Sequence, residues 1–582
     1  MIRSSEFIKF IFVRFKSLVK TKRFWIFSLL VLSITALFLM DTFHESYPDE
    51  FDNISGGWLI LHGTLIYKSF FTHHGPVPYF LSSLVELFSG QSFVRFRIVY
   101  AIFLVLINFL FFAFLKYKLK EKIINYYPLF IIFLGIESTY YWSQMLLADN
   151  ISAYLFLSIY ILLLLKVFYK KALTLWDLVF ASVVGALGLY SSLTFTYLYA
   201  ILMFAFFVVY ISQLQFYFNK KSLVQISKSI IIFAIPHIIF LLYLLITRSL
   251  QDYYFQNFIF NAKYYIYNYP RPSGSTTINP IRYAIVIVNN YLNSVFPLFM
   301  QIKDFNLYNP FNVTMVLGNL AILIYLFVKK YYKLVLLIVL VLIFSTVRSN
   351  LLISRETDYQ SAVYIFISFF NIFFLIPNLY EDINLSKDVA KKIIFSSLFI
   401  LVLIYSFASV FSFIEVFNNR YFEKYMGTAP LIYDRPQVAP IMNTILGKND
   451  YTLIDPFNFE DDFYTNAKLA SKYHILIPGF GQSPDIQKEL IADLERTNPK
   501  AIWFNKNFFI LGSSVEKYGK FLTDYLSKNY VTIYGYKEGK TGYASVATIT
   551  IEMNIETSLF LRKDYAQQAI QELVNAGYLR VK

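Results

Sequence analysis

Long apolar runs, separated by short polar segments, fill the first 417 residues of the chain. Many of these runs reach the roughly 18–20 residues that an α-helix needs to cross the hydrocarbon of a bilayer. The pattern predicts a polytopic α-helical membrane protein with about eleven transmembrane helices. The predicted spans cover residues 24–40, 96–115, 124–142, 151–167, 175–190, 194–210, 229–246, 313–327, 333–346, 361–375 and 393–413.

The charges between the spans predict the orientation of the chain. Basic residues precede the first span and no clear cleavage site follows it, so we expect an uncleaved span with a cytoplasmic N-terminus. Every second loop is then basic, as the positive-inside rule requires, and an odd number of spans places the C-terminus outside. The basic loops carry Lys116, Lys118, Lys120 and Lys122; Lys166, Lys170 and Lys171; Lys220, Lys221 and Lys228; Lys329, Lys330 and Lys333; and Lys387, Lys391 and Lys392.

The composition changes after residue 417, and no apolar run of span length follows. Strands predicted at 451–454, 473–477, 501–504 and 531–536 alternate with helices at 485–495 and 515–527, and the tail 563–579 is predicted to be helical. This alternation predicts a small extracytoplasmic α/β domain over 418–582, after a transmembrane domain over 1–417. The sequence Pro478-Gly479-Phe480-Gly481 follows a predicted strand but lacks the Lys-Ser/Thr ending of a phosphate loop.

Composition and charge narrow the function classes. Apolar residues make up 57% of the chain and charged residues 15%, against roughly 25% charged in soluble domains. The net charge of +15 falls mainly between the spans and no nucleic-acid-binding motif is found, so we expect no nucleic-acid partner. The chain has no cysteine, which excludes disulfides, thiolate metal sites and cysteine nucleophiles.

The most chemically suggestive stretch lies in the long first outer loop, residues 41–95. Asp49, Glu50 and Asp52 place three carboxylates within four positions just after the first span. Such a cluster suits a site that works on a charged lipid headgroup, although a solvated loop is the alternative interpretation. The apolar stretches 55–61 and 77–88 are too short to span and suit helices in the interface plane. The Tyr-rich outer loop 248–310 is either a lid or an ordinary surface loop.

Other polar residues are predicted near the same membrane face. Asp149 stands where two spans meet, either as a functional acid or as an N-cap of the next helix. Arg97 and Arg355 lie near outer ends of spans, where they suit either a phosphate or an interfacial anchor. His73 and His74 are candidate ligands of a phosphate or of a divalent metal ion, although the pair lacks a clear third ligand.

These residue types suit sugar transfer at the membrane. A carboxylate can act as general base on an acceptor hydroxyl, and cations or a metal ion can stabilise a phosphate leaving group. A polyprenyl phosphate is a suitable leaving group and needs a hydrophobic groove between spans. The sequence therefore supplies the parts of such a site.

The order of these motifs resembles the GT-C superfamily of membrane glycosyltransferases, in particular the glycosyltransferase family 39 branch of protein O-mannosyltransferases and aminoarabinose transferases. The resemblance covers nearly the whole chain in architecture and implies the GT-C fold. Its motif content is concentrated in residues 48–150, and the stretch 493–504 looks like the outer domains of bacterial members. The residues that carry it are Pro48, Asp49, Glu50, Gly63, Tyr67, His73, His74, Gly75, Pro76, Tyr79 and Asp149, with Tyr518, Leu522 and Tyr530 near the C-terminus.

The resemblance implies roles for several residues. Asp49 takes the place of the family's catalytic acid with Glu50 beside it, and Asp149 that of its second acid. The family's phosphate-contacting lysine becomes His74 here, a departure that argues against aminoarabinose specificity. Arg355 is the best match to a cation in a late outer loop. The donor implied is a sugar on polyprenyl phosphate, used at the outer face of the cell membrane without a nucleotide sugar.

Two other functions fit parts of the pattern. A transporter of lipid-linked sugar is expected to show inverted repeats and midplane charges, whereas here no repeat is found and the acids lie at the predicted outer boundary. A polysaccharide polymerase or ligase also uses lipid-linked donors and differs in its product. We therefore expect a sugar transferase acting on a lipid, glycan or protein acceptor.

Overall fold

The computed structural model describes residues 22–40, 47–138, 145–213, 220–265, 279–300, 311–346, 360–417, 436–510, 512–534 and 557–579. This part of the chain is mostly helical and ends in a region with a small sheet. The helices before the sheet are α1 (Lys22–Met40), α2 (Pro48–Leu61), α3 (Val77–Ser89), α4 (Phe93–Leu119), α5 (Tyr127–Ser138), α6 (Ala148–Phe168), α7 (Leu175–Ser191), α8 (Thr196–Ser212), α9 (Lys220–Ile246), α10 (Leu250–Tyr254), a π-helix (Phe255–Tyr265), α11 (Pro280–Met300), α12 (Phe311–Val328), α13 (Tyr332–Ser345), α14 (Ala362–Leu385) and α15 (Val389–Phe417).

Each of the eleven predicted spans overlaps one of these helices where its residues are described, and two spans begin in short 3-10 helices, Lys122–Tyr126 and Leu193–Phe195. Within the described ranges, five helices are long and apolar enough to cross a membrane, and shorter apolar helices accompany them. The chain is therefore compatible with a helical membrane protein, while the total number of crossings stays a prediction. The five helices are Phe93–Leu119, Ala148–Phe168, Leu193–Ser212, Leu223–Ile246 and Ala362–Leu385.

The outer loop predicted over 248–310 contains helices that the sequence analysis missed. They are α10, the π-helix and α11. Asp252 of α10 lies 3.3 Å from the Lys68 ammonium, and Gln256 of the π-helix bonds the first outer loop at two backbone positions. Residues 250–265 are thus packed against neighbouring segments, whereas residues 266–278 and 301–310 of the predicted loop lie outside the described residues. Their mixed aromatic and amide side chains leave no clean apolar stripe, which is why the pattern did not predict helix.

The centre of the helical bundle contains buried polar contacts, whereas its surface exposes apolar side chains. The central helices α6 and α14 share a buried polar network, in which the Tyr160 hydroxyl donates to Asn371 Oδ1 at 2.5 Å and Asn371 Nδ2 donates to Asn319 Oδ1 at 3.0 Å. By contrast, α9 exposes a row of isoleucines and leucines. Only 11% of its most apolar 18-residue stretch is buried. An apolar helix surface of this kind suits contact with lipid.

Basic residues cluster at the end of the bundle far from α2. Lys118 and Lys166 each place an ammonium 3.1 Å from a carboxylate oxygen of buried Asp177. Since α4 has 27 residues and is about 40 Å long, its basic end lies far from Arg97 near its start. Lys118 and Arg97 therefore lie near opposite ends of α4.

The C-terminal region folds around a five-stranded sheet. The strand order is β2-β1-β3-β7-β6, with β1 parallel to both β2 and β3, and β7 antiparallel to β3 and β6. The strands are β1 (Tyr451–Asp455), β2 (Lys468–Leu469), β3 (Ala501–Asn505), β4 (Phe509–Ile510) and β5 (Ser513–Ser514), which form a separate hairpin, β6 (Tyr530–Tyr534) and β7 (Thr557–Arg562). The helices are α16 (Ala439–Ile445), α17 (Phe459–Tyr464), α18 (Pro478–Gly481), α19 (Pro484–Thr497), α20 (Val515–Tyr518), α21 (Lys520–Asn529) and α22 (Ala566–Asn575).

The predicted strand 473–477 was wrong. The segment forms no strand, because its backbone bonds to side chains: the Leu476 amide donates to Asp455 Oδ1 at 3.0 Å, and the Leu476 carbonyl accepts from the Tyr518 hydroxyl at 3.2 Å. The tail predicted as helix over 563–579 is preceded by β7 and contains α22. The glycines of 478–481 are packing positions, since a Cβ on Gly479 would press against Phe260.

The α/β region docks on the first outer loop at the α2 end of the bundle. The Phe71 amide donates to the Lys472 carbonyl at 2.8 Å, and the Phe93 amide donates to the Tyr464 hydroxyl at 3.0 Å. The Phe71 ring meets the ring of Phe480 in the α/β region and that of Phe260 in the π-helix, each at a centroid distance of 5.0 Å. Residues 41–95 and 418–582, predicted to share one membrane face, thus meet at one end of the bundle where described.

The packing of Gly75 gives a first prediction. A Cβ at this position would overlap the Tyr190 carbonyl of α7, and a backbone atom cannot rotate away. We expect Gly75→Ala to destabilise the folded protein by about 1–3 kcal/mol. Thermal unfolding in detergent checks this, with Gly447→Ala as the matched control because a Cβ there meets only Asp450 Oδ2 at 3.6 Å. Equal melting temperatures for the two variants would contradict the predicted clash.

Candidate functional site

The acidic stretch after the first apolar helix forms the first turn of α2. Pro48 occupies the first helical position, where its fixed φ angle is favourable and its missing N–H costs nothing. Asp49 and Glu50 follow in the first turn, where the positive end of the helix dipole stabilises carboxylates. The two acids differ in environment, because Asp49 is partly accessible and Glu50 is fully buried.

Glu50 is held by Arg97 of α4 in a buried two-pronged ion pair. Arg97 Nε lies 3.2 Å from Oε1 of the carboxylate, and Nη2 lies 2.5 Å from Oε2. The guanidinium carbon also sits 4.3 Å from the centre of the Phe93 ring. This geometry uses the fork of arginine to fix the angle between α2 and α4. Both Glu50 and Arg97, predicted as catalytic and phosphate-binding residues, are thus engaged with each other.

The segment before α6 contacts Glu50 and the neighbouring part of α2. The Leu146 amide donates to Glu50 Oε1 at 3.4 Å, and Asn53 Nδ2 donates to the Leu146 carbonyl at 2.9 Å. Asp149, three residues later, lies in the first turn of α6 and is 1% exposed. The N-cap position belongs to Leu147, so the alternative interpretation of Asp149 as an N-cap was wrong. The structure therefore starts α2 and α6 side by side, each with an aspartate at its second position.

A second polar connection runs from α2 to the histidine pair. The Tyr79 hydroxyl donates to Asp52 Oδ2 at 2.6 Å and lies 2.6 Å from Thr72 Oγ1. Thr72 Oγ1 also accepts from the His74 amide at 3.1 Å. The Tyr79 ring can approach because it packs where a side chain on Gly56 would be. This line of contacts fixes the histidine loop relative to α2.

The π-helix holds the other side of the histidine loop. Gln256 accepts from the Thr72 amide at 3.0 Å and donates to the Tyr67 carbonyl at 2.7 Å, so one side chain fixes two backbone positions. Asn261 Nδ2 donates to the His73 carbonyl at 3.1 Å. The rings of His73 and His74 are half-buried, with centroids 4.1 Å apart. The histidines thus lie on a well-supported loop close to α2.

The described residues do not form a complete ligand set for a divalent metal ion. No group of three or more histidine or acidic side chains there is spaced to hold a metal ion. Within the described part of the chain, the histidine pair therefore has no third side-chain ligand. Arg355, the other predicted phosphate-binding residue, lies outside the described residues.

Asp52 and Tyr79 are site residues whose roles the sequence analysis did not assign. Asp52 follows Asp49 by three positions, the spacing that places two side chains on one face of a helix. The pKa of Asp52 is raised to about 7. Burial is the largest cause, the Tyr79 hydrogen bond lowers the pKa, and the negative charge of Asp49 raises it. The three-residue spacing was a usable signal, whereas the burial of Asp52 depends on α3 and on the α/β region that packs against α2.

The chain matches no protein-family model and no curated protein sequence. The side chains around α2 and their arrangement are therefore the basis for inferring a function.

Proposed function

We propose that this protein is a membrane glycosyltransferase that moves a sugar from a polyprenyl-phosphate-linked donor to a lipid, glycan or protein acceptor. The placement of Asp49 carries the proposal. It is a partly accessible carboxylate in the first turn of α2, beside the start of α6 with Asp149. It also lies at the end of the bundle where the α/β region docks. The proposal places this end at the outer face of the cell membrane and adopts the GT-C fold as the architecture.

Asp49 acts as the general base in this proposal. Its carboxylate takes the proton of an acceptor hydroxyl, and the hydroxyl oxygen forms a bond to the anomeric carbon of the sugar. The bond from that carbon to the phosphate oxygen breaks, and polyprenyl phosphate leaves with the electron pair. The N-terminus of α2 favours the ionised form of Asp49 that this step needs.

In this proposal Glu50 and Arg97 have a structural role instead of the catalytic and phosphate-binding roles predicted from the sequence. Because both groups are buried and bonded to each other, they position α2 rather than contact substrate. Asp149 remains the second acid of the proposed site, since its helix begins at the same joint. This division leaves Asp49 as the accessible carboxylate of the Asp-Glu pair.

The donor needs a phosphate site and an apolar surface. His73 and His74 are the described candidates for the phosphate, and their loop is tied to α2 through Thr72 and Tyr79. Helix α3 begins just after this loop and exposes Phe80, Leu84, Leu87 and Phe88 on one side. An amphipathic helix with such a face lies in a membrane interface, where a polyprenyl chain is also found.

Substitution of the base tests the proposal. We expect Asp49→Asn to reduce sugar transfer by at least about 10²-fold, because a general base contributes about 10²–10⁴-fold to a rate. The protein should still insert and melt normally. Mass spectrometry of lipids and glycans from cells with and without the gene first identifies the missing sugar mass. Purified protein with the matching labelled polyprenyl-phosphate sugar then gives the rate.

The matched control is Asp485→Asn, which removes an exposed carboxylate in the first turn of α19 without touching the site. This variant should keep the wild-type rate. Full activity of Asp49→Asn would remove the proposed base, and movement of labelled lipid-linked sugar across the membrane without a transfer product would favour a transporter. Addition of whole chains rather than one sugar would indicate a polymerase or ligase.

The ion pair gives a prediction for stability. Arg97→Met leaves the buried Glu50 carboxylate without its cation, so we expect a loss of about 3–5 kcal/mol. The double variant Glu50→Met with Arg97→Met should be less destabilised than Arg97→Met, since it removes both charges. Thermal unfolding of the two variants beside the wild type measures the difference. A double variant as unstable as the single one would show that packing, not charge, dominates at this joint.

A further inference from the structure

Three carboxyl groups with little or no access to solvent lie on the two sides of the contact between α2 and the α/β region. Asp52 belongs to α2, Asp455 ends β1 and Asp462 lies in α17. Asp52 and Asp455 are 5% and 1% exposed. Among the described residues, Asp52 Oδ1, Asp455 Oδ2 and Asp462 Oδ2 are buried and have no hydrogen-bond partner. Buried polar atoms are nearly always bonded, so three such oxygens at one contact require an explanation.

Ring contacts connect the elements that carry these groups. Trp58 of α2 meets Phe463, the neighbour of Asp462, with centroids 5.7 Å apart in an edge arrangement. The Phe70 ring lies 5.3 Å from the Tyr79 ring, which bonds Asp52, and 5.4 Å from the His474 ring. Burial, followed by the charges of Asp455, Asp461 and Asp52, holds the pKa of Asp462 well above its ordinary value. Carboxyl groups from both sides of the contact thus act on Asp462.

The surrounding groups do not neutralise this cluster. Asp49 adds a further negative charge from α2, and the Tyr79 hydroxyl already donates to Asp52. Burial lowers the pKa of His474 to about 4, so its ring is neutral, and the Tyr518 hydroxyl donates to the Leu476 carbonyl at 3.2 Å. Asp461 accepts two backbone N–H bonds, from Val438 and Ala439, at 2.7 Å each. No ion pair within the described ranges involves Asp52, Asp455, Asp461 or Asp462, and Lys472 is paired with Asp252 and Glu489.

We propose that Asp52, Asp455 and Asp462 form a proton latch that holds the α/β region against the first outer loop. Burying three ionised carboxylates without a cation is costly, so the docked form keeps most of them protonated. A protonated carboxyl also becomes an O–H donor, which a neighbouring oxygen can accept. When the groups ionise, their mutual repulsion and their need for water favour separation of the two parts.

The direction of the pH effect follows from the docked and separated states. Burial raises the pKa values of Asp52 and Asp455 to about 7, whereas a carboxyl exposed by separation returns toward its ordinary value near 3.8. The docked form therefore binds more protons, and docking weakens as the pH rises from about 4 through 7. Each proton taken up changes the docked-to-separated ratio by up to tenfold per pH unit.

The chain has no cysteine, so two introduced thiols can be labelled specifically to measure the distance across the contact. Ser69→Cys in the outer loop and Lys488→Cys in α19 place two thiols at exposed positions on the two sides of the contact. Spin labels on the full-length protein in nanodiscs then report their separation by pulsed electron resonance at pH 5.5 and 8.5. We expect one short distance at pH 5.5 and at least a tenfold lower docked-to-separated ratio at pH 8.5.

Variants test whether these carboxyls carry the response. Asp52→Asn with Asp462→Asn removes two of the three ionisable groups and should respond less steeply to pH than the wild type, because only Asp455 remains, whereas Asp485→Asn should respond like the wild type. A wild-type distance that is the same at both pH values would overturn the latch, and so would an unchanged response in the double variant. The wild-type measurement decides the matter even where the double variant does not fold. It uses no substrate, so its outcome is independent of the proposed sugar transfer.

Discussion

The ion pair between Glu50 and Arg97 determines how the α2 end of the bundle is built. It joins α2 to α4, and the Leu146 amide on the same carboxylate adds the start of α6. Removing two charges from water is expensive, and good geometry with additional hydrogen bonds is what offsets that cost. The pair meets this condition with two arginine contacts, a backbone donor and the Phe93 ring beneath the guanidinium. Three elements that are distant in sequence are therefore fixed at one point.

From this point the support for the site extends outward through short polar contacts. Gly56 and Gly57 let α3 approach α2 closely, which brings the Tyr79 hydroxyl to Asp52. Tyr79 and Thr72 then hold the histidine loop, while the π-helix fixes the far side of that loop through Gln256. The α/β region completes the arrangement by pairing its Lys472 carbonyl with Phe71. A site built this way is preorganised, because each polar group is held by a neighbour that is itself packed.

Much of the helical framework could be predicted from the sequence, because a bilayer requires long apolar helices and charges between them. The strands β1, β3 and β6 followed from short β-branched and aromatic runs. The segment 473–477 has the same composition yet forms no strand, because Asp455 and Tyr518 take its backbone bonds. Local pattern cannot show such a tertiary choice. The same limit applies to Arg97, whose partner Glu50 is 47 residues away.

The acids of α2 show why residue type alone does not assign a role. Asp49, Glu50 and Asp52 occupy one helix turn, yet one is partly accessible, one is paired with arginine and one is buried beside a tyrosine hydroxyl. Burial favours the protonated form of the Asp52 carboxyl, which has no cation beside it in the described part of the chain. Three neighbouring acids therefore meet three different environments within one turn. The environment that separates them comes from α3, α4 and the α/β region, so the α2 sequence acquires its chemistry only when the whole end of the bundle has assembled.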